Sequence, residues 1–500
     1  MRKVFAVICA FVFLLGGIAA AEQVVQKAPD FVMEGYDGDS ANHDWTNNRF
    51  FTSMQERTGI SFQFTQHADF TEWTNRKKEL MEGVNLPDVL FKASLTTAET
   101  QALYSKGYII DLKPYLAEYA PNLWALLQGN EAWMKALTLE DGAIPALPMI
   151  NTLQTNDAMW INTTWLRRLG LEVPTTADEL TEVLRAFREK DPNNNGSRDE
   201  IPLTFIGMWE LRFLGHAFGI IDNDYYVTAR DGQVTSSLTT DENRAFLTWL
   251  HALWEERLLD HNGFNMADSM RQITDEKKPI PYGMMMSSNP LTVVPSAALK
   301  QFSMLMPLTY DGKQEYRSLL GDLVRGTFAI TSACKEPEKL VAWVDYLYTE
   351  EGSLEMLYGR EGEEYVWRED GLWEWNHDIE TVAREILPQN TLSEGGEAPG
   401  LLNKDFQTKY AEEDARRSIT ELAELVKIST LPYPYVFLSS EDAARIAEIQ
   451  QELAPYAETG MARFVTGDVP LDDEHWNEFC QGVRDHHLDE AVAIWQKYLK

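Results

Sequence analysis

The stretch DPNNNGSRDEIP, Asp191 to Pro202, carries oxygen-bearing side chains at its first, third, fifth and ninth places and Gly196 at its sixth. That is the opening half of an EF-hand calcium loop. Ca²⁺ takes six to eight hard oxygens, and Asp191, Asn193, Asn195, the Ser197 backbone carbonyl and Asp199 supply five positions around a turn that glycine permits. The twelfth place, where the loop needs a bidentate Glu, is Pro202. Glu200 is the carboxylate at hand to complete the shell. An ion-free polar turn draws on the same Asn, Asp and Gly residues, but the agreement of five positions and the glycine favours a metal. There is no second copy and no exiting helix, so the groove-opening action of calcium sensors lacks its moving parts. A structural ion is the expectation.

Other chemistries have little support. The sequence has no G-x-S-x-G elbow, no H-E-x-x-H, and no Walker or G-x-G-x-x-G loop, and its nine histidines are scattered. Nucleophilic catalysis, catalytic zinc and nucleotide binding are therefore not expected. Paired carboxylates for glycosidic hydrolysis depend on spatial separation, and with 78 acidic residues no pair is singled out. Aromatic content is more informative. A saccharide presents C–H faces that stack on rings and hydroxyls that need carboxylates, amides and arginine, and the chain has 15 Trp and 19 Tyr. Most of these belong in cores; Trp45 and Trp209 stand out for their polar, loop-like surroundings.

The elements that must position these residues can be read from periodicity. DFVMEGYDG reads as a strand and turn, Asn47 to Thr58 as a helix ending at Gly59, and ISFQFTQ as a strand by alternation. A helix over 73–81 and the buried strand LPDVLF follow. This β-α-β-α-β order implies a parallel sheet with crossover helices. A second unit starts with the strand AMWIN and the helix TTWLRRLGL. A capping box at Thr176–Glu179 then opens a helix whose Leu180, Val183, Leu184 and Phe187 form one apolar stripe. That helix runs into the calcium-type loop, and the strand IPLTF leaves it. Farther on come a helix over 241–256, the strand PYGMMMSS, the strand GDLVRGTFAITS and a helix over 336–348. The segment 371–399 looks irregular, and helices over 441–460 and 473–499 end the chain.

Five hundred residues exceed one hydrophobic core, so two or three bodies are expected. The first 21 residues, with Arg2 and Lys3 ahead of an apolar run and Ala19-Ala20-Ala21 at its end, read as a secretory signal. No Cys follows the cut, so no lipid anchor is expected, and the mature chain is expected to be soluble in a periplasm or secreted. Without the signal, 42 basic residues face 78 acidic ones, a net charge of -36. Such a chain repels nucleic acid and anionic lipid. Whether Cys334 and Cys480 pair is left open.

Several long runs carry a family resemblance: FREKDPNNNGSRDEIPLTF, IIDLKPYLAEYAPNLWALL, LPDVLF, AITSACKEPEKLVAWVDYLYTEEGSLEMLYGREGEEYVW and FVTGDVPLDDEHWNEF. With these the chain resembles the large extracellular solute-binding proteins of bacterial ABC importers, in the branch that includes alginate-oligosaccharide-binding proteins. The resemblance implies an α/β, two-lobed, type II-like binding-protein fold in which each lobe is a mixed sheet flanked by helices, with a helical C-terminal region. Residues 22–155 plus about 310–370 would form one lobe, and 156–309 plus about 371–500 the other. It further implies a structural Ca²⁺ on Asp191, Asn193, Asn195, Ser197, Asp199 and Glu200. The implied action is capture of an oligosaccharide, without bond making, by a monomer that delivers it to the transmembrane subunits of a permease. The candidate ligand residues are Trp45, Trp209, Tyr282, Met286 and Trp367. Met284, Met285 and Met286 stand where alginate-binding relatives have a Trp-containing strand, so a ligand other than alginate is expected. A secreted carbohydrate-active hydrolase and a binding protein for peptides or another solute are the alternatives.

Overall fold

Alternation along Phe31–Tyr36 and Phe62–His67 makes two strands that pair in parallel, with Met33 opposite Phe64, and Val89–Phe91 joins the other side of the first, also in parallel. The structure, a computed structural model, describes residues 28–499 apart from 39–42, 154–157, 266–267, 276, 289, 319–321, 394–396 and 403. The expected signal segment lies outside the described residues. The crossover helices are Arg49–Thr58, which ends on a left-handed Gly59, and Phe70–Leu80, which is capped by Asp69. Leu323–Ile330 then enters antiparallel to Val89–Phe91 and to Leu147–Asn151, and Gly400–Leu402 closes the other edge. This six-stranded mixed sheet carries an aromatic core in which Trp343 packs against Phe50, Phe51, Phe62 and Phe91.

The second body is built on a four-stranded sheet in the order Phe302–Leu305, Ala158–Asn162, Tyr282–Ser287, Ile201–Thr204. The helix Ala177–Glu189 lays its predicted stripe, Leu180, Val183, Leu184 and Phe187, into the core. Each such side chain contributes about 1.5–3 kcal/mol relative to exposure. The capping box is displaced by one residue. Thr176 accepts the Glu179 N–H, but the Glu179 carboxylate reaches back to the N–H and hydroxyl of Thr175. The long helix Ser440–Thr466 packs beside Asp241–Glu255, with Ile446, Ile449, Leu453 and Ala457 buried in the same core. The terminal segment forms two helices rather than one, Asp473–Asp485 and Leu488–Tyr498, broken at His487, whose φ is 66°.

The bounds of the two bodies differ from those expected. Tyr316 belongs to the second core, and Tyr316–Arg317 pairs with Ser429–Thr430, so the chain is still in the second body past the expected limit near 310, and Leu323 begins the strand of the first. Leu392 and Ala398 belong to the first core and Gly400–Leu402 to its sheet. The segment 371–402 therefore stays with the first body, where Trp373, Phe406 and Tyr410 stack beside the hairpin Tyr365–Trp367/Trp373–Trp375. Cys334 and Cys480 are both free thiols.

Candidate functional site

The bodies meet over a cavity of about 530 Å³. One wall comes from the first body: Thr96 to Ala98 at the start of a helix, and Arg325. The other comes from the second body: Asn223 to Tyr225, Ile446 and Gln450 on the long helix, and Trp495. A strap, Leu431 to Leu438, lines the cavity between them. Two prolines in LPYPYVFL fix φ and withhold backbone donors, so this segment runs extended.

Arg325 reaches the cavity because its strand is interrupted. Register shifts between Val324 and Phe328, and Gly326 takes a φ of 73°. A Cβ there would lie 2.1 Å from the Leu95 carbonyl oxygen, so the close approach requires glycine. A bulge of this kind re-aims the adjoining side chain. The guanidinium donates to the Val436 carbonyl at 2.9 Å and lies over the rings of Tyr435 and Phe437. Burial lowers its pKa to about 10.

The facing wall is held by a buried charge cluster. Asp222 lies 3.0 Å from Arg212 and 3.1 Å from Arg317, and also accepts the Ser237 hydroxyl. Burial would raise the Asp222 pKa, but the two guanidiniums outweigh it and hold the carboxyl below its ordinary range. Next in sequence, the Asn223 side chain accepts the N–H groups of Tyr225 and Val227, a turn that leaves Asp224 and Tyr225 exposed. The Tyr225 ring packs on Trp495 with centroids 4.9 Å apart, and Tyr433 does the same from the strap. This combination of ring faces, one guanidinium, two side-chain amides and one carboxylate among the described lining residues suits a saccharide.

The calcium-type loop follows the helix that ends at Glu189 and precedes the strand Ile201–Thr204. Asp191 accepts the N–H groups of Asn195 and Gly196, and Asn193 accepts that of Asn195. The Asn195 side chain accepts the Ser197 N–H and donates to Asp199. These bonds turn the side-chain oxygens into the loop, with φ values of 39° at Asp191, 59° at Asn194 and 82° at Gly196. Glu200 is 3% exposed, and neither of its carboxylate oxygens has a cationic side chain or a well-formed hydrogen bond, although the backbone N–H groups of Glu200 and Asn193 lie nearby. Burial raises its pKa, and the neighbouring Asp191 and Asp199 add to this, while the backbone N–H groups of Glu200 and Asn193 oppose it without reversing it. A buried, unpaired carboxylate beside two aspartates is costly without a cation, so the residues present fit Ca²⁺. Counting His, Cys, Asp and Glu alone, the described residues hold no group of three or more placed to bind a metal. The loop depends on amide and carbonyl oxygens as well.

The pattern of the bacterial extracellular solute-binding proteins matches residues 48–353. The chain belongs to that family. Among relatives of this solute-binding protein, the fructooligosaccharide ABC transporter substrate-binding protein FusA of Streptococcus pneumoniae is 27% identical over 484 residues, 89% of this chain and 85% of FusA. FusA structures with kestose, and of an EF-hand mutant with fructo-nystose, each superpose with a TM-score of 0.75 at 25% identity over 94% of this chain and 98% of FusA. A human-milk-oligosaccharide-binding protein of Bifidobacterium longum infantis (TM-score 0.79, 21% identity, 94% and 98% coverage) shares the fold. So does the alginate-binding protein AlgQ2 without calcium ion (TM-score 0.69, 18% identity, 94% and 97% coverage). The solute-binding protein is thus two-lobed, with the cavity where its lobes meet.

The candidate ligand residues of the solute-binding protein are scattered, and none of them lines this cavity. Trp45 is fully buried in the first core, its indole N–H donated to Asp37, which is also bound by Lys92 and His43. Tyr282 and Met286 are buried because their strand is central in the four-stranded sheet and covered on both faces. The expectation of ring or thioether faces open to a solute at these three positions is therefore corrected. Trp209 and Trp367 are exposed, at 43% and 37%. Trp367 belongs to the aromatic hairpin of the first lobe, against Phe406 and under Lys409. The cavity residues missed in the sequence come from separate segments with no shared period; the proline-spaced aromatics of LPYPYVF were the available signal.

Proposed function

We propose that this protein is the exported substrate-binding component of an ABC importer, capturing an oligosaccharide between its lobes and presenting the closed form to the permease. The observation that carries the reading is the cavity walled by both lobes and furnished with the Tyr225, Tyr433 and Trp495 rings beside Arg325 and Asp224. A ligand contacting both walls stabilises the closed arrangement over the open one by its differential affinity, which is what a hinge-closing receptor requires. Among the described residues lining the cavity, Asp224 is the only carboxylate. Glycosidic hydrolysis uses a pair, so this supports binding over turnover. The fructooligosaccharide relative supports a sugar as the solute, and the family's extracellular character supports an exported protein freed of residues 1–21. Among the described residues, no helix is long and apolar enough to cross a membrane.

The loop 191–200 would hold a structural Ca²⁺ through Asp191, Asn193, Asn195, the Ser197 carbonyl, Asp199 and Glu200. The ion would supply positive charge to a carboxylate that the protein leaves unpaired. A relative solved as an EF-hand mutant supports this assignment. Calorimetric titration of the mature protein with neutral and acidic oligosaccharides and with peptides tests the function. Saturable binding of a chemically unchanged sugar is expected; release of smaller sugars, or binding of peptides alone, refutes it.

A further inference from the structure

Arg325 differs from the other deeply placed arginines of this protein. Arg212 and Arg317 share Asp222, and Arg271 meets Glu210 at 2.8 Å. Arg325 has no carboxylate within ion-pairing distance among the described residues, although acidic side chains outnumber basic ones 78 to 44 along the chain. Its two protein acceptors, the Ala136 and Val436 carbonyls, both engage the same terminal nitrogen, Nη1. Guanidinium carries five N–H donors in a planar fork, matched by a carboxylate or another oxyanion. Two further cavity-lining residues have donors without a protein partner: the indole N–H of Trp495, a residue 7% exposed, and the side-chain N–H of Gln450. The N–H groups of Trp495 and Gln450 are buried, whereas Arg325 keeps Nε and Nη2 without a protein acceptor beside the cavity, and among the described lining residues the one carboxylate, Asp224, stands exposed.

We infer that Arg325 is a specificity-determining residue that receives an anionic oxygen group, a carboxylate or a sulfate ester, carried by the captured saccharide, with Tyr225 supplying a ring face on the opposite wall. This rests on the saccharide-receptor reading and narrows it. Leaving a guanidinium unpaired in a largely buried site costs desolvation free energy, which an arriving anion offsets, so affinity and sign of charge are coupled. A neutral sugar would leave the guanidinium without its counter-charge.

Calorimetric titration of the full mature chain tests this with a uronic-acid trisaccharide, the same trisaccharide as its methyl ester, a sulfated disaccharide and neutral kestose. The expected result is that one of the two anionic probes binds at least about tenfold more tightly than both neutral ones, the size of a charge-assisted pair. Its affinity falls as NaCl is raised. The uronate and sulfate arms identify which oxyanion is read. Arg325→Gln abolishes the preference, and Arg325→Lys keeps part of it. Because Arg325 also anchors the strap, the salt dependence of the unaltered protein is the readout that needs no variant. Equal or tighter binding of the methyl ester or kestose, insensitive to salt, overturns the inference and leaves the receptor reading intact. Binding of none of the four overturns the saccharide reading itself.

Discussion

His216 is buried at 3% exposure, and both its ring nitrogens are committed: Nδ1–H donates to the Phe213 carbonyl, and Nε2 accepts the Leu308 N–H at 2.9 Å. The second bond requires a neutral ring. Burial moves the pKa from its ordinary 6.5 to about 4, the bond to Phe213 opposing only weakly. The folded chain thus resists a proton that the unfolded chain takes up below pH 6.5. This contribution to stability is complete above pH 6.5 and is lost as pH falls toward 4. At about 1.4 kcal/mol per pH unit, it amounts to roughly 3 kcal/mol over the whole range and about 2 kcal/mol between pH 7 and pH 5. His216→Gln keeps an acceptor and a donor but cannot be protonated. Urea unfolding of both proteins at the two pH values isolates the effect, because every other titrating group cancels in the double difference. The unaltered protein should lose about 2 kcal/mol more than the variant on going to pH 5. Equal losses would refute the neutral-ring assignment.

EDTA should lower the melting temperature and Ca²⁺ restore it, with about 2.7 kcal/mol gained at a hundred times the dissociation constant; loss of this response in Asp191→Ala/Asn195→Ala would tie it to the loop. Glu200→Gln should melt higher than the unaltered protein in EDTA, since it removes a buried carboxylate with a raised pKa, and should respond less to Ca²⁺. In the ion-free protein the Glu200 contribution worsens as pH rises through that raised pKa, so the advantage of the variant should shrink in acid. Gly326→Ala should cost about 1–3 kcal/mol in urea unfolding, from the left-handed φ and the approach of the Leu95 carbonyl, and should weaken sugar binding by displacing Arg325.

Much of the fold was legible because its signals are local. The alternation in Ile60–Thr65, the stripe on Ala177–Glu189 and the buried run at Val89–Phe91 each set their own burial. The lobe limits were not, because the return of residues 371–402 to the first lobe depends on a three-residue strand, Gly400–Leu402, whose partner lies about 250 residues earlier. The loop at 191–200 was legible since its oxygens lie within ten consecutive positions. The cavity was not, since Thr96, Tyr225, Arg325, Tyr433, Gln450 and Trp495 meet only after both sheets are built. Trp45 misled for a physical reason: its polar sequence neighbours, Asp37 and His43, are buried with it as hydrogen-bond partners, a satisfied interior cluster that reads in one dimension like a surface loop.

The proline-spaced strap is fastened to both lobes, its Tyr435 hydroxyl accepting the Leu323 N–H and its Tyr433 hydroxyl donating to the Trp495 carbonyl. A segment that lines the cavity is therefore also a short tether between the two bodies. Substitutions made there to change which sugar is held would also change how far the lobes can part, so selectivity and opening amplitude would evolve as one trait.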